Sequence, residues 1–268
     1  HLLGNHLFAN AKALVFAGLF FEAPEADGWL HTGVAIVERE LQEQILADGG
    51  HFERSPMYHA LALEDVLDLL NVCDAFGGEA HVARLQPRLR EKARQMTAWL
   101  RRMVHPDGSL VRFNDCSDEV APSLDELLLY AQRLGIEVAT SAPGEVTLLS
   151  PSGYVRCANS RAMAWLDVAP VGPDYLPGHA HADTLSFELS LDGARAIVNG
   201  GTSSYGRGPR HDYEHSTAAH NTVEVDGRNS SETWSGFRVG RRAMPRDLVI
   251  DQREVTCSHD GYRFLPRR

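Results

Sequence analysis

The chain has little of several things, and each scarcity excludes a class of protein. Its four cysteines, Cys73, Cys116, Cys157 and Cys257, are far apart and form no CxxC pair. They build neither a zinc finger nor a dense disulfide framework, and at most a single opportunistic bridge is left open. No apolar run reaches the roughly 20 residues needed to span a bilayer; the nearest extends only from Ala11 to Phe21. Positive charge is in deficit, with Lys+Arg 26 against Asp+Glu 36 and a net charge of −10. That balance argues against nucleic acid and anionic membrane surfaces as partners and admits an acidic polymer only through a locally basic cleft. Dinucleotide-type GxGxxG loops, nucleophile elbows and HExxH are absent, so nucleotide binding, serine hydrolysis and zincin proteolysis have no support. No repeat at a fixed period and no low-complexity segment is seen.

What is present is apolar residue and histidine. With 268 residues and 43% hydrophobic content, the chain can build two cores. Helical spacing predicts helices over Leu7 to Glu22, Trp29 to Leu46, His59 to Phe76 and Ala83 to Val104, and a fifth to Leu134 with Ser123 as its N-cap. From about Thr140 the runs shorten and β-branched residues rise. Strands are expected over Tyr154 to Ala158, Ala162 to Val168, Thr184 to Leu191, Ala194 to Val198, Asn221 to Val225 and Phe237 to Ala243. The fold class expected is therefore α+β in two domains, a helical array over 1–142 followed by antiparallel β over 143–268, with Asp192-Gly193 and Asp226-Gly227 as hairpin turns. The chain opens on His1 inside a helical pattern and ends at Arg268 without an obvious stop, which reads as a fragment of a longer protein.

Thirteen histidines are many for this length, and several lie in polar, Gly-rich contexts. In Pro177-Gly178-His179-Ala180-His181-Ala182-Asp183 two imidazoles stand two residues apart, and a strand there would project both to one face. Imidazole is the commonest metal ligand and the side chain best suited to moving protons near neutral pH. His220 is expected at the mouth of a second strand, where it could meet His181, and Asn199 would complete a small N/O metal shell. The loop Gly50-His51-Phe52-Glu53-Arg54-Ser55-Pro56-Met57-Tyr58-His59 concentrates ionisable groups between two helices. Within it Glu53 and Arg54 read as a bracing ion pair, whereas Tyr58 and His59 read as functional. Asn5 and His6 open the first helix, and Phe113-Asn114-Asp115 reads as an Asx turn.

Gly4-Asn5-His6-Leu7, the Gly50 to His59 loop, Gly178-His179-Ala180-His181-Ala182-Asp183 and His220-Asn221-Thr222-Val223, in this order, resemble the heparinase II/III family of polysaccharide lyases, which includes alginate lyase relatives. The resemblance implies an incomplete α/α toroid packed on an antiparallel β-sandwich, with an acidic, uronate-containing glycan held between them and cleaved by β-elimination. The helices are too few for a full toroid, which again suggests a truncated chain. The resemblance puts Asn5, helped by His6 or His179, at the position that neutralises the uronate carboxylate. It makes Tyr58 and His179 the acid–base pair, with Tyr205 as a second phenol near the leaving group. His181 and His220 would hold a structural zinc or similar divalent ion, with Asn199 where relatives commonly carry an aspartate. It further implies a periplasmic or secreted protein. Two alternatives stand beside it: a glycan-binding or assembly protein that keeps the scaffold without turnover, and a metal-dependent hydrolase using His179, His181 and His220.

Overall fold

Apolar residues three and four apart, as at Leu30, Val34, Val37 and Leu41, give the outer N-terminal helices a buried stripe. In the computed structural model, which describes residues 3–137, 146–251 and 254–266, these stripes meet in five helices: α1 (Asn5–Phe20), α2 (Ala26–Glu43), α3 (Pro56–Ala75), α4 (Ala80–Leu100) and α5 (Leu124–Arg133). Helix α3 is central and buried on most sides. It starts at Ser55, whose hydroxyl accepts the Tyr58 N–H, with Pro56 in the first turn, where its missing N–H costs nothing. Helix α4 buries Val82, Leu85, Leu89, Ala93, Met96 and Leu100 and turns its arginines outward. At α5 the expected Ser123 cap closes a reciprocal capping box with Glu126. The expected helices α1 to α4 all start and stop one to four residues later than the observed ones, because caps and first turns carry no apolar periodicity.

Downstream, β1 (Val146–Leu149), β2 (Tyr154–Ala158), β3 (Ala162–Asp167), β4 (Phe187–Leu191) and β5 (Ala194–Ile197) form an antiparallel meander in sequence order. Asp192 and Gly193, both at positive φ, make the tight β4–β5 turn. Helix α6 (Pro209–Glu214), a 3-10 turn at Thr217–Ala219, and two hairpins, β6 (Thr233–Trp234) with β7 (Arg238–Val239) and β8 (Pro245–Ile250) with β9 (Val255–His259), complete the chain. The sequence reading did not anticipate β1, α6, β6, β8 or β9. The boundary expected at 142/143 lies outside the described residues.

Three strand expectations are corrected. Asn221 to Val225 is irregular: it is bridged at Val225 to Arg228, and the side chains of Asn221 and Thr222 donate to the carbonyls of Phe187 and Thr184. Of Phe237 to Ala243 only Arg238 and Val239 pair, and Arg241 instead sends its guanidinium to the carbonyls of Ser230 and Gly261. Most consequentially, His179 to Ser186 is no strand. Its backbone is satisfied by loops: the His181 N–H donates to Asn114 Oδ1, the Ala182 N–H to the His215 carbonyl, and the His179 carbonyl accepts from the Asp115 N–H. All four cysteines are free.

The helical and β halves are joined by a second core of Trp99, Met103, Val111, Phe113, Leu149, Tyr154 and Trp165. Trp99 Nε1 donates to Ser152 Oγ at 2.9 Å and Trp165 Nε1 to the Arg102 carbonyl at 2.6 Å. Buried beside them, His105 bridges Glu188 at 2.6 Å and Ser190 at 2.7 Å, and Glu188 Oε1 also accepts the backbone N–H groups of Arg112 and Asn199. Loops contributed by both halves therefore meet across a packed junction.

His59 belongs to this frame and not to the site. Fully buried, it accepts the His51 N–H on Nδ1 at 3.1 Å, donates Nε2–H to the Met96 carbonyl at 3.0 Å and stacks on Trp99. Burial lowers its pKa to about 3 from 6.5. A histidine held neutral in this way contributes stability that is fully present above 6.5 and is lost as pH falls towards 3. The His59→Gln variant lacks this loss, so urea titrations should show its deficit against wild type shrinking by about 1.4 kcal/mol between about pH 7.5 and about pH 5.5.

Candidate active site

The site is assembled around a carboxylate that sequence reasoning placed in a simple turn. Asp115 is fully buried on the loop before α5, where Asn114 takes a positive φ and the Gly201 loop packs against Cys116. Gly201, also at positive φ, must be glycine, since a Cβ would strike the Cys116 carbonyl. That close approach delivers Thr202, whose hydroxyl donates to Asp115 Oδ1 at 2.6 Å.

Three imidazoles converge on the same group. His179 Nδ1 lies 2.9 Å from Asp115 Oδ2, His181 Nε2 3.0 Å from Oδ1, and His215 Nε2 3.3 Å from Oδ1. Burial alone would push the Asp115 pKa up, but these three partners outweigh it and hold the carboxyl well below the usual range. The ionised carboxylate in turn raises the pKa of His215 against the opposing effect of burial. An acceptor at Nδ1 fixes the neutral His179 ring as the Nδ1–H tautomer and leaves the Nε2 lone pair free.

Around His179 stand two phenols and a second carboxyl. The Tyr58 ring lies 3.9 Å from the His179 ring, centroid to centroid, and the Tyr58 and Tyr205 hydroxyls are 3.0 Å apart. Burial, the Tyr205 hydrogen bond and the nearby Asp115 and Glu53 charges raise the Tyr58 pKa, so its phenol is protonated at neutral pH. Tyr205, 39% exposed, opens this pair to solvent. Glu53 is buried, with Oε2 at 3.6 Å from His179 Nε2 and Oε1 accepting the Asn5 N–H at 3.2 Å. Burial raises its pKa against the opposing influence of His179. It is not the bracing partner of Arg54, whose guanidinium donates to the carbonyls of Ser152 and Phe52.

The residues expected from sequence are distributed as follows. Tyr58, His179 and Tyr205 are in contact. Asn5 reaches them through Glu53, across Gly4 at positive φ, where any side chain would collide with that carboxyl. His6 is exposed, and its backbone N–H donates to Asn5 Oδ1 at 2.9 Å, with no ring hydrogen bond into the cluster among the described residues. His181, His220 and Asn199 are buried and adjacent: His181 Nδ1 faces His220 Nε2 at 3.2 Å, and His220 Nδ1 faces Asn199 Oδ1 at 3.4 Å. Asn199 thus meets the edge of His220 opposite to the one that faces His181, so the three form a chain. Donor atoms that do converge belong to Asp115, His181 and His215, all within 4.8 Å of one another. Two imidazoles and a carboxylate are a set that zinc accepts, and a metal ion would take up the His215 Nε2, which is buried without a good hydrogen bond among the described residues. This group could therefore hold a metal ion.

Asp115, His215 and the role of Glu53 were missed. The spacing of His211, His215 and His220 on a short helix and the turn after it was the available signal for His215; Asp115 carries none beyond its flanking buried Phe113 and Cys116.

Family models match nearly the whole chain: the heparinase II/III N-terminus over residues 1–131 and the heparinase II/III-like C-terminal model over 142–268. Among curated proteins, a heparin-sulfate lyase of Bacteroides stercoris is 28% identical over 252 residues, covering 87% of this chain and 37% of that protein. The FtsZ-localized protein C of Caulobacter vibrioides is 27% identical over 272 residues, covering 96% of this chain and 44% of that protein. A heparinase III crystal structure superposes with a TM-score of 0.76 at 21% identity, over 97% of this chain and 44% of that one. A heparan sulfate lyase structure from Pedobacter heparinus gives 0.67 at 21%, over 98% and 42%. The chain thus spans less than half the length of these relatives.

The two donor sets predict different zinc behaviour. After dialysis against zinc, emission spectroscopy should find the ion bound to wild type and to Asn199→Ala but lost from His215→Ala and Asp115→Asn. Loss in Asn199→Ala with retention in His215→Ala would assign it to the His181–His220–Asn199 chain instead.

Proposed function

This chain belongs to the heparinase II/III family, and from that membership and the site we propose that it is part of a polysaccharide lyase that cleaves a uronate-containing acidic glycan by β-elimination. The observation that carries the reading is the contact of Tyr58, His179 and Tyr205, with Asn5 tied to the cluster by its backbone N–H to Glu53. Two similar proteins are named heparin-sulfate lyases. On the same reading the helices are a segment of an α/α toroid over 1–142, and the sheets belong to a β-sandwich over 143–268. The protein acts in the periplasm or outside the cell.

The C5 proton of a uronate is weakly acidic, so the carboxylate must first be neutralised as the enolate develops. The Asn5 amide serves this, next to Glu53, whose raised pKa favours the uncharged form. His179, held by Asp115 with Nε2 unprotonated, takes the C5 proton. The C5–H electrons become the C4=C5 double bond as the C4–O bond breaks, and the departing oxygen takes a proton from Tyr58, whose raised pKa keeps it a phenol. Tyr205, hydrogen-bonded to Tyr58 and open to solvent, returns that proton. No water is consumed. A divalent ion such as zinc, held by Asp115, His181 and His215, would be structural and would supply a fixed positive charge behind His179.

A second reading, a glycan-binding or assembly protein on the same scaffold, draws on the similarity, over 96% of this chain, to a protein whose name carries no lyase activity, the FtsZ-localized protein C. The full-length protein, incubated with heparan sulfate, alginate and other uronate polymers, should release product with the ultraviolet absorbance of an unsaturated uronate. Tyr58→Phe and His179→Ala should each slow that release by about 10² to 10⁴, and Asn5→Ala by about 10². Undiminished activity in the Tyr58→Phe, His179→Ala double variant would sink the assignment, and binding without product would favour the second reading.

A further inference from the structure

Phe237 has no part in the proton transfers above, yet it completes the ring of side chains around them. It lies in the three-residue loop of the β6–β7 hairpin, between Gly236 and Arg238. Ser235 and Gly236 both adopt positive φ, and the Phe237 N–H returns to the Ser235 carbonyl at 3.2 Å, a tight turn that fixes where the ring points. The Phe237 ring stacks on Tyr205 at 6.3 Å and 26° and stands edge-on to His179 at 6.4 Å and to His211 at 6.1 Å. The hairpin backs onto Gly178, immediately before His179. Tyr58, His179, Phe237 and Tyr205 therefore form a closed circuit of four rings, and Phe237 alone among them has no polar atom.

The Phe237 ring is left 45% exposed at the edge of this polar cluster, where an apolar ligand surface can lie against it. A pyranose offers such a surface, because one face of the sugar presents C–H groups while the hydroxyls and carboxylate project at the rim. Aromatic rings in ligand sites supply this kind of flat contact and leave polar neighbours to fix orientation. We propose that Phe237 is the apolar wall on which a pyranose of the polymer stacks beside His179 and Tyr205, so that the β6–β7 hairpin is a substrate-binding element. The identity of that sugar as part of a uronate glycan rests on the lyase reading; the wall itself does not require turnover.

The test uses the full-length protein carrying Tyr58→Phe, so that substrate binds without being consumed, titrated calorimetrically with sized heparan sulfate and alginate oligosaccharides. Adding Phe237→Ala should raise the Kd about tenfold. Phe237→Trp should stay within about twofold of the parent, and its added indole emission should change on saturation. In the active protein, Phe237→Ala should raise KM more than it lowers kcat. An unchanged Kd in Phe237→Ala, a silent indole in Phe237→Trp, or a parent that binds neither oligosaccharide would overturn the proposal. Tight, Phe237-dependent binding by a protein that releases no unsaturated product would remove the lyase reading and leave the wall standing.

Discussion

The structure depends on one buried carboxylate. Asp115 receives His179, His181 and Thr202 within 3.0 Å and His215 at 3.3 Å, from segments more than sixty residues away in sequence. A buried charge of this kind is tolerated only when several donors answer it. The partners outweigh its burial and keep it ionised. The loops that carry these histidines have no ladder of their own and take their shape from it and from Asn114.

This arrangement divides the labour of the two histidines in the Gly178 to Asp183 segment. Both touch Asp115, one through each oxygen. His179 is partly exposed and leans on Tyr58, whereas His181 is fully buried among His215 and His220. One carboxylate thus orients the partly exposed ring beside Tyr58 and anchors the ring that belongs to the interior. The junction core of Trp99, Phe113, Tyr154 and Trp165 holds the helical loop bearing Asp115 against the β half that supplies the histidines. A change at that junction would shift His179 relative to Tyr58.

Helices α1 to α5 and strands β2 to β5 were legible because their apolar residues repeat at 3.6 or 2 and Ser123, Gly135 and Asp192-Gly193 punctuate them. Tyr58, His179 and Asn5 came from motif order, which periodicity could not have supplied, and Tyr205 entered only as a second phenol beside them. The strand expected through His181 failed because its alternation was incidental: the backbone hydrogen bonds go to Asn114 and His215. Asp115 was illegible for a related reason. An Asn-Asp pair after a phenylalanine has the same local pattern in an Asx turn and in a buried hub, and only the packing of distant loops separates them. His59 erred the other way, since a histidine in a polar loop can point inward onto Met96 and Trp99.

The central claim is that Asp115 holds His179 as the Nδ1–H tautomer, leaving Nε2 to take a proton. Nitrogen-15 NMR of the full-length protein with labelled histidine, His179 being assigned by its loss in His179→Ala, tests this directly. The account predicts a neutral His179 ring protonated at Nδ1 in wild type and a shift towards the Nε2–H form in Asp115→Asn. An Nε2–H ring in wild type, or one indifferent to Asp115→Asn, would contradict it.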